Sequence, residues 1–271
     1  MPTVPNALVA AAEAAADVAG AVIRPFFRAG GIAAELKGDA SPVTIADRTA
    51  EQAMRAVLRE RFPEHGILGE EFGLERPDAR WRWVLDPIDG TRAFITGRPT
   101  FGTLIGLLDD GVPVLGLIDQ PVTGERWIGA AGELTRFAGR MGGQPGCRPC
   151  ADLSRAELSC TSIDMYTADE LVRWQRLRDE VGRVYFGGDC YAYGLLALGQ
   201  IDVVAEADLK VWDWAALAPV VEGAGGRITD WEGQPLRASM DASATLLGVP
   251  GPVLAVGDPA LQGPALRLLA E

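Results

Sequence analysis

The sequence predicts an α+β chain in two lobes, with a mixed or antiparallel sheet first and an alternating α/β lobe second. Three observations lead there. Apolar runs at 103–108, 112–119 and 126–130 are separated by Asp109-Asp110-Gly111 and by Pro121-Val122-Thr123-Gly124, so an antiparallel meander is expected. Beyond residue 150, strand-like runs alternate with helical ones, the pattern of α/β structure. Between them, residues 139–149 are rich in Gly and Pro and divide the chain into lobes 1–145 and 146–271.

The elements follow in order. Asn6 is placed to cap a helix through Leu8, Ala11, Ala12, Ala15, Ala19, Val22 and Ile23. Pro25 ends or kinks it, and Phe26 and Phe27 are expected in the core. Residues 37–44 are turn-rich with a short extended piece. A second helix begins at Asp47, carries Ala50, Met54, Val57 and Leu58 on one face, and closes at Phe62-Pro63. Ile67-Leu68-Gly69 is a short strand ending at Glu70-Glu71. In the second lobe, strands are expected at 157–161, 183–186, 201–206 and 227–229, and helices at 168–181, 190–198 and 214–222. A last strand at 253–256 leads into a helix at 261–269.

Composition narrows the function. A chain of 271 residues that is 48% hydrophobic can bury a large core. Its net charge of −12 argues against nucleic acid, which needs a basic surface. The first nineteen residues lack a basic start, and Glu13 and Asp17 interrupt their apolar run. Neither a signal peptide nor a membrane span is expected. Four cysteines suggest a reducing, cytoplasmic compartment. Cys147-Arg148-Pro149-Cys150 is a CxxC, but His65, the sole histidine, is far away in sequence and no zinc set is complete.

The chain is organised around Trp83-Val84-Leu85-Asp86-Pro87-Ile88-Asp89-Gly90-Thr91. An apolar strand is expected to stop at Asp86, because Pro87 follows. It delivers two carboxylates, Asp86 and Asp89, to a turn. Paired carboxylates suit a hard cation such as Mg2+, and free N–H groups at Gly90 and Thr91 suit a phosphate. Gly90 carries no side chain to keep a phosphate from the backbone. The plain alternative is an Asx-rich turn after a strand. A second acidic stretch, Glu206-Ala207-Asp208-Leu209-Lys210-Val211-Trp212-Asp213, ends in a residue that would also serve as a helix N-cap.

Together these acids carry a resemblance. Ser41-Pro42-Val43-Thr44-Ile45-Ala46-Asp47, Gly69-Glu70-Glu71, Asp86-Pro87-Ile88-Asp89-Gly90-Thr91, Trp212-Asp213 and Gly223-Ala224-Gly225-Gly226 match, in order, the motifs of the inositol monophosphatase superfamily, which includes fructose-1,6-bisphosphatases. Thr91-Arg92-Ala93-Phe94-Ile95, the run from Gly116 to Trp127, and Gly188-Asp189-Cys190-Tyr191-Ala192-Tyr193-Gly194 resemble the histidinol-phosphatase branch. The resemblance implies a layered α/β/α/β/α sandwich with the site between the lobes, a homodimer, and Mg2+-dependent hydrolysis of a phosphate monoester. It implies two to three Mg2+ per site. Glu70, Asp86 and the Ile88 carbonyl would hold one; Asp86, Asp89 and Asp213 a second; a third, mostly water-held, would sit near Glu70. Thr91 with Asp47 would activate the attacking water, and the N–H groups of Gly90 and Thr91 would hold phosphate. No phosphoenzyme is expected.

Charge supports that assignment. Five acids packed without metal repel, and some stay protonated. Singly, Glu70 and Asp213 read as caps and Asp47 as a surface acid; all five together call for cations. The intact Thr91 and Asp47 speak against a non-catalytic binder. For the substrate, an acidic rim at Asp189, Glu206 and Asp208 would suit the ammonium of histidinol phosphate, in a step of histidine biosynthesis. The alternative is inositol 1-phosphate or a range of sugar phosphates. Tyr191 and Tyr193 read equally as core or as ligand contacts, and Lys37 has no assigned role.

Overall fold

The computed structural model describes residues 4–29, 35–36, 42–240 and 251–270. Lys37 and Ser41 lie outside the described residues. Helix α1 (Asn6–Ile23) is followed by a two-stranded antiparallel ribbon of β1 (Glu35–Leu36) and β2 (Pro42–Val43), then by helix α2 (Ile45–Arg61). Pro5, not Asn6, occupies the N-cap of α1, and Asn6 is its first helical residue. Pro5 is held near φ −57°, where it meets the first turn without needing a side-chain cap.

The first sheet has seven strands: β3 (Gly66–Gly69), β4 (Gly73–Glu75), β5 (Trp81–Asp89), β6 (Gly102–Asp109), β7 (Val112–Gln120), β8 (Glu125–Ala130) and β9 (Arg136–Ala138). Its order is β4-β3-β5-β6-β7-β8-β9. Only β3 and β5 run parallel; the rest is antiparallel, β6 to β8 form the expected meander, and β5 pairs antiparallel with β6 beside it. Asp110 and Gly111 turn β6 into β7 with φ of 48° and 81°, the left-handed pair that a tight hairpin requires.

The second sheet has five strands: β10 (Glu157–Cys160), β11 (Arg183–Phe186), β12 (Val203–Leu209), β13 (Arg227–Thr229) and β14 (Gly251–Val256), in the order β11-β10-β12-β14-β13. Here β10 is parallel to β11 and β12, and β14 is antiparallel to β12 and β13. Among the described residues the remaining α-helices are α3 (Thr91–Ile95), α4 (Ala168–Glu180), α5 (Asp189–Ala197), α6 (Val211–Trp214), α7 (Leu217–Gly223) and α8 (Gln262–Ala270). The single helix expected at 214–222 is two short ones, α6 and α7, so Asp213 lies inside the first of them rather than at an N-cap.

The layers are α1 and α2, the seven-stranded sheet, α5 to α7, the five-stranded sheet, and α4 with α8. This is the α/β/α/β/α sandwich. Each interface has its own core. Ala11, Ala12, Ala15 and Ala19 let α1 pack closely on the sheet with Met54, Leu58 and Leu117. Leu104, Trp127, Tyr193, Val204 and Leu217 fill the space between the sheets, and Trp174, Leu254 and Leu269 the outer layer. By length and composition α1 would cross a membrane, but half of it is buried and it packs on α2, β6 and β7, as a core helix does.

A row of glycines sets the middle layer. Gly106 pairs with Gly116, and Gly116 with Gly129, across β6, β7 and β8. A Cβ at Gly116 would overlap the Ala216 carbonyl, one at Gly129 the Pro219 carbonyl, and one at Gly106 would sit 3.0 Å from the Ala215 backbone. The missing side chains admit the α6–α7 backbone directly onto the sheet. Asp213 is carried in with it.

Candidate active site

Strand β5 does not stop at Asp86. It continues to Asp89, and its register against β6 shifts by one residue between Asp86, paired with Leu104, and Asp89, paired with Gly102. The bulge absorbs Pro87, which has no N–H for the ladder, while the Thr103 hydroxyl donates to the Pro87 carbonyl at 2.8 Å. Strand β12 has the same device. Its register shifts between Glu206 and Leu209, which leaves Asp208 exposed at φ 58°. The two bulges send their acids toward the middle layer from opposite sheets.

Asp86, Asp89 and Asp213 each offer a carboxylate oxygen, all within 4.8 Å of one another. Asp86 Oδ1 accepts from the Ile88 N–H at 3.0 Å. Asp89 Oδ2 accepts from the Cys190 N–H at 2.7 Å, and Asp213 Oδ2 from the Lys210 N–H at 2.7 Å. Burial pushes Asp86 well above the usual carboxylate range, with Glu70, Asp89, Asp213 and Asp47 adding to it. Asp89 is pushed up to about 7 by burial and then by Asp189, against the Cys190 hydrogen bonds. Asp213 is raised by burial, then by Asp89 and Glu70. An all-oxygen set of mutually repelling acids fits a hard divalent cation, which removes the repulsion. It does not resemble a soft-metal site: the four cysteines are free thiols, and burial raises Cys147 to about 11. His65 stacks on Phe62 at 4.7 Å and on Trp81 at 6.0 Å, as a core residue.

Two further acids come from the α2 side. Asp47 is the third residue of α2 and closes a capping box: its Oδ2 accepts from Thr44 N at 2.9 Å and from the Thr44 hydroxyl at 2.5 Å. Burial raises its pKa, and Glu70 adds to the rise. Glu70 leaves β3 in the turn toward β4, its N–H donating to Leu85 O at 3.1 Å. The Thr91 hydroxyl donates to the Ile88 carbonyl at 3.2 Å. Among the described residues, Thr91 and Asp47 thus hydrogen-bond to other partners rather than to each other. Gly90 stands at φ 81°, and a Cβ there would lie 2.7 Å from Asp189 Cγ.

A cavity of about 150 Å³ opens beside Asp89 and Asp213. Asp189, Glu206 and Asp208 all line it, with Met165, Tyr193 and Leu217 as its apolar part. Glu206 is buried, and both its oxygens are engaged: Oε1 by the Thr161 N–H at 2.7 Å and Oε2 by the Tyr193 hydroxyl at 2.9 Å. Asp189 sits at φ 46°, its N–H on the Thr161 hydroxyl at 2.9 Å and its Oδ2 on the Thr100 hydroxyl at 3.1 Å. Burial raises its pKa, opposed first by Thr100 and then by Arg98 and Arg92. Tyr193 is both core and cavity wall, whereas the Tyr191 hydroxyl donates to Glu125 Oε2 at 2.7 Å.

Sequence reasoning missed Thr161, Cys190 and Glu51. Thr161 and the Cys190 N–H matter through contacts with no sequence signature. Glu51 had one: Asp47, Glu51 and Arg55 recur every four residues on α2, a buried polar stripe beside the apolar one.

The chain is similar to known proteins over most of its length. The chain is 46% identical to the bifunctional phosphatase IMPL2, chloroplastic, of Arabidopsis thaliana, over 96% of this chain and 74% of that protein. It is 40% identical to a histidinol-phosphatase of Mycobacterium tuberculosis, over 82% and 86% of the two chains. Among solved structures, an inositol monophosphatase from Zymomonas mobilis superposes with a TM-score of 0.84 at 48% identity, covering 97% of each chain. The sequence profile described as the inositol monophosphatase family matches residues 5–255, and the chain belongs to that family of metal-using phosphatases.

Proposed function

We propose that this phosphatase is a Mg2+-dependent phosphomonoesterase that hydrolyses L-histidinol phosphate to L-histidinol and phosphate. The observation that carries the substrate is the wall of acids, Asp189, Glu206 and Asp208, on the cavity that adjoins Asp89 and Asp213. Histidinol phosphate bears an ammonium and an imidazole, whereas inositol phosphate bears only hydroxyls, and acids lower the energy of the cation. Relatives named histidinol-phosphatases favour the same reading.

In this reading Glu70, Asp86, Ile88 through its carbonyl, Asp89 and Asp213 hold the ions. When bound, the ions supply Lewis-acid chemistry, lowering the pKa of a water and stabilising the leaving alkoxide. The N–H groups of Gly90 and Thr91 hold phosphate oxygens. Thr91 and Asp47 orient the attacking water and take its proton as it adds to phosphorus. Glu206 acts through its charge and by holding Thr161 and Tyr193, which leaves Asp189 and Asp208 to meet the amine. The lobes 1–145 and 146–271, a homodimer and a cytoplasmic location belong to the same reading; four free thiols accord with the last.

The second reading, an inositol or broad sugar-phosphate phosphatase, is favoured by the likeness to the Zymomonas mobilis enzyme. Phosphate release from histidinol phosphate and inositol 1-phosphate, side by side with and without Mg2+, separates them. A charge-assisted contact is worth about 1.5–3 kcal/mol, and two give kcat/KM at least about a hundredfold higher for the amine substrate. Equal or reversed preference moves the reading to inositol or sugar phosphates and leaves the metal chemistry in place.

A further inference from the structure

Helix α2 carries three buried polar side chains one turn apart, and only the first, Asp47, enters the acid cluster. The second, Glu51, is completely buried. Its carboxylate lies under the end of β3, where Oε2 accepts from the Glu71 N–H at 2.8 Å and Oε1 from the Phe72 N–H at 3.2 Å. A Cβ at residue 69 would overlap this carboxylate, so Gly69 is required for the approach. The third, Arg55, is also buried. It donates through Nε to Glu51 Oε1 at 2.7 Å, through Nη1 to Glu75 Oε1 at 2.7 Å and through Nη2 to the Gly73 carbonyl at 2.5 Å. The pair therefore grips the turn at 70–72 from both sides, by its N–H groups through Glu51 and by its far end through Arg55. Burying such a pair costs desolvation that good geometry only offsets, so stability alone is a weak reason for it.

We propose that Glu51, neutralised by Arg55, is a positioning residue that sets the backbone of the 70–72 turn and so presents Glu70 to the cation. The proposal rests on the reading of Glu70 as a metal ligand. It also explains why the polar stripe on α2 is continuous. Asp47 and Glu51 leave the same helix face one turn apart, one into the cluster and one beneath the neighbouring ligand's backbone, so helix and turn are held in one register.

The test is Mn2+ binding to EDTA-stripped protein, followed by electron paramagnetic resonance, beside apo-protein Tm. Glu51→Gln places an amide N–H2 against a backbone donor and removes the charge that Arg55 balances. Its Kd for Mn2+ is expected to rise at least tenfold. Met54→Ala, a core truncation on the same helix, lowers Tm but keeps the wild-type Kd. Wild-type Mn2+ affinity in Glu51→Gln, or an equal loss in Met54→Ala, overturns the proposal. Glu70→Gln separates the two failures. If it weakens binding and Glu51→Gln does not, the positioning role alone falls; if it binds as wild type, the ligand reading falls and takes this proposal with it. Should Glu51→Gln not fold, Arg55→Lys carries the test, because lysine keeps the charge but cannot span Gly73, Glu75 and Glu51 at once. A Kd at least threefold weaker is expected, and an unchanged Kd overturns the proposal.

Discussion

The Asp89 carboxylate accepts a 2.7 Å hydrogen bond from the Cys190 backbone N–H, 101 positions further along the chain. The bond ties the end of β5 to the start of α5 and thus one sheet's acids to the other's cavity. Cys190 packs there because residue 102 is glycine: a Cβ would lie 2.7 Å from its sulfur. Asp89 is then held where it faces Asp86 and Asp213, and its charge, not its shape, is what the apo protein tolerates poorly.

Asp89→Asn is expected to fold with an apo Tm no lower than wild type. The amide oxygen still accepts from Cys190, and one buried like charge is gone. Phosphate release should fall by orders of magnitude at saturating Mg2+, because a proposed ligand has lost its charge. Wild-type kcat in this variant would remove Asp89 from the metal site.

Apo stability should fall as pH rises through the range set by Asp89. Its folded pKa, about 7, stands above the usual value of 3.8 in an unfolded chain. Between the two values the folded state binds more protons, so its stabilising protonation is complete below about pH 4 and is lost as pH rises through 7. In EDTA, Tm should drop by several degrees between pH 5 and pH 8, and less steeply in Asp89→Asn. Excess Mg2+ should reverse the trend, because the cation binds the deprotonated acids. Parallel slopes in wild type and variant would show that Asp89 does not titrate there.

Gly116→Ala tests the seat of the middle layer. The added methyl meets the Ala216 carbonyl, so the α6–α7 segment and Asp213 must move away from the sheet. Overpacking of this kind costs about 1–3 kcal/mol, or roughly 2–10 °C in Tm for a chain of this size. Mg2+ affinity should weaken with it. Gly251→Ala, where an added methyl meets nothing within 4 Å among the described residues, is the control. Calorimetry and Mg2+ titration that return wild-type values for Gly116→Ala would refute this account of the glycine row.

Asp189→Asn is expected to lower kcat/KM for histidinol phosphate about tenfold while changing inositol 1-phosphate less, since one charge-assisted contact is lost. Glu206→Gln should act differently. One amide face no longer accepts from Thr161 or Tyr193, so both substrates suffer along with stability. Steady-state kinetics on both substrates distinguishes a contact from a support, and equal losses in Asp189→Asn would class it with the supports.

By itself the sequence determined the local elements and the identity of the acids. Hairpins were legible because Asp110-Gly111 and Gly124 carry their turn chemistry with them, and α2 because its period is its own. Asp86, Asp89 and Asp213 were legible only as a set: each alone reads as a turn or cap residue, and it is the ordered series of acidic motifs that points to a cation. Only the tertiary structure decided how they meet. Strand β5 passes Pro87 because β6 supplies a bulged register, which no local propensity encodes. The helix expected at 214–222 breaks in two as it seats on the glycine row. Glu206 became a buried support once Thr161 and Tyr193 came to its two oxygens, and Glu51 gained its partners in the 70–72 turn. These features depend on backbone donors and steric gaps brought together across tens to a hundred positions, where burial rather than residue type sets the cost of a charge.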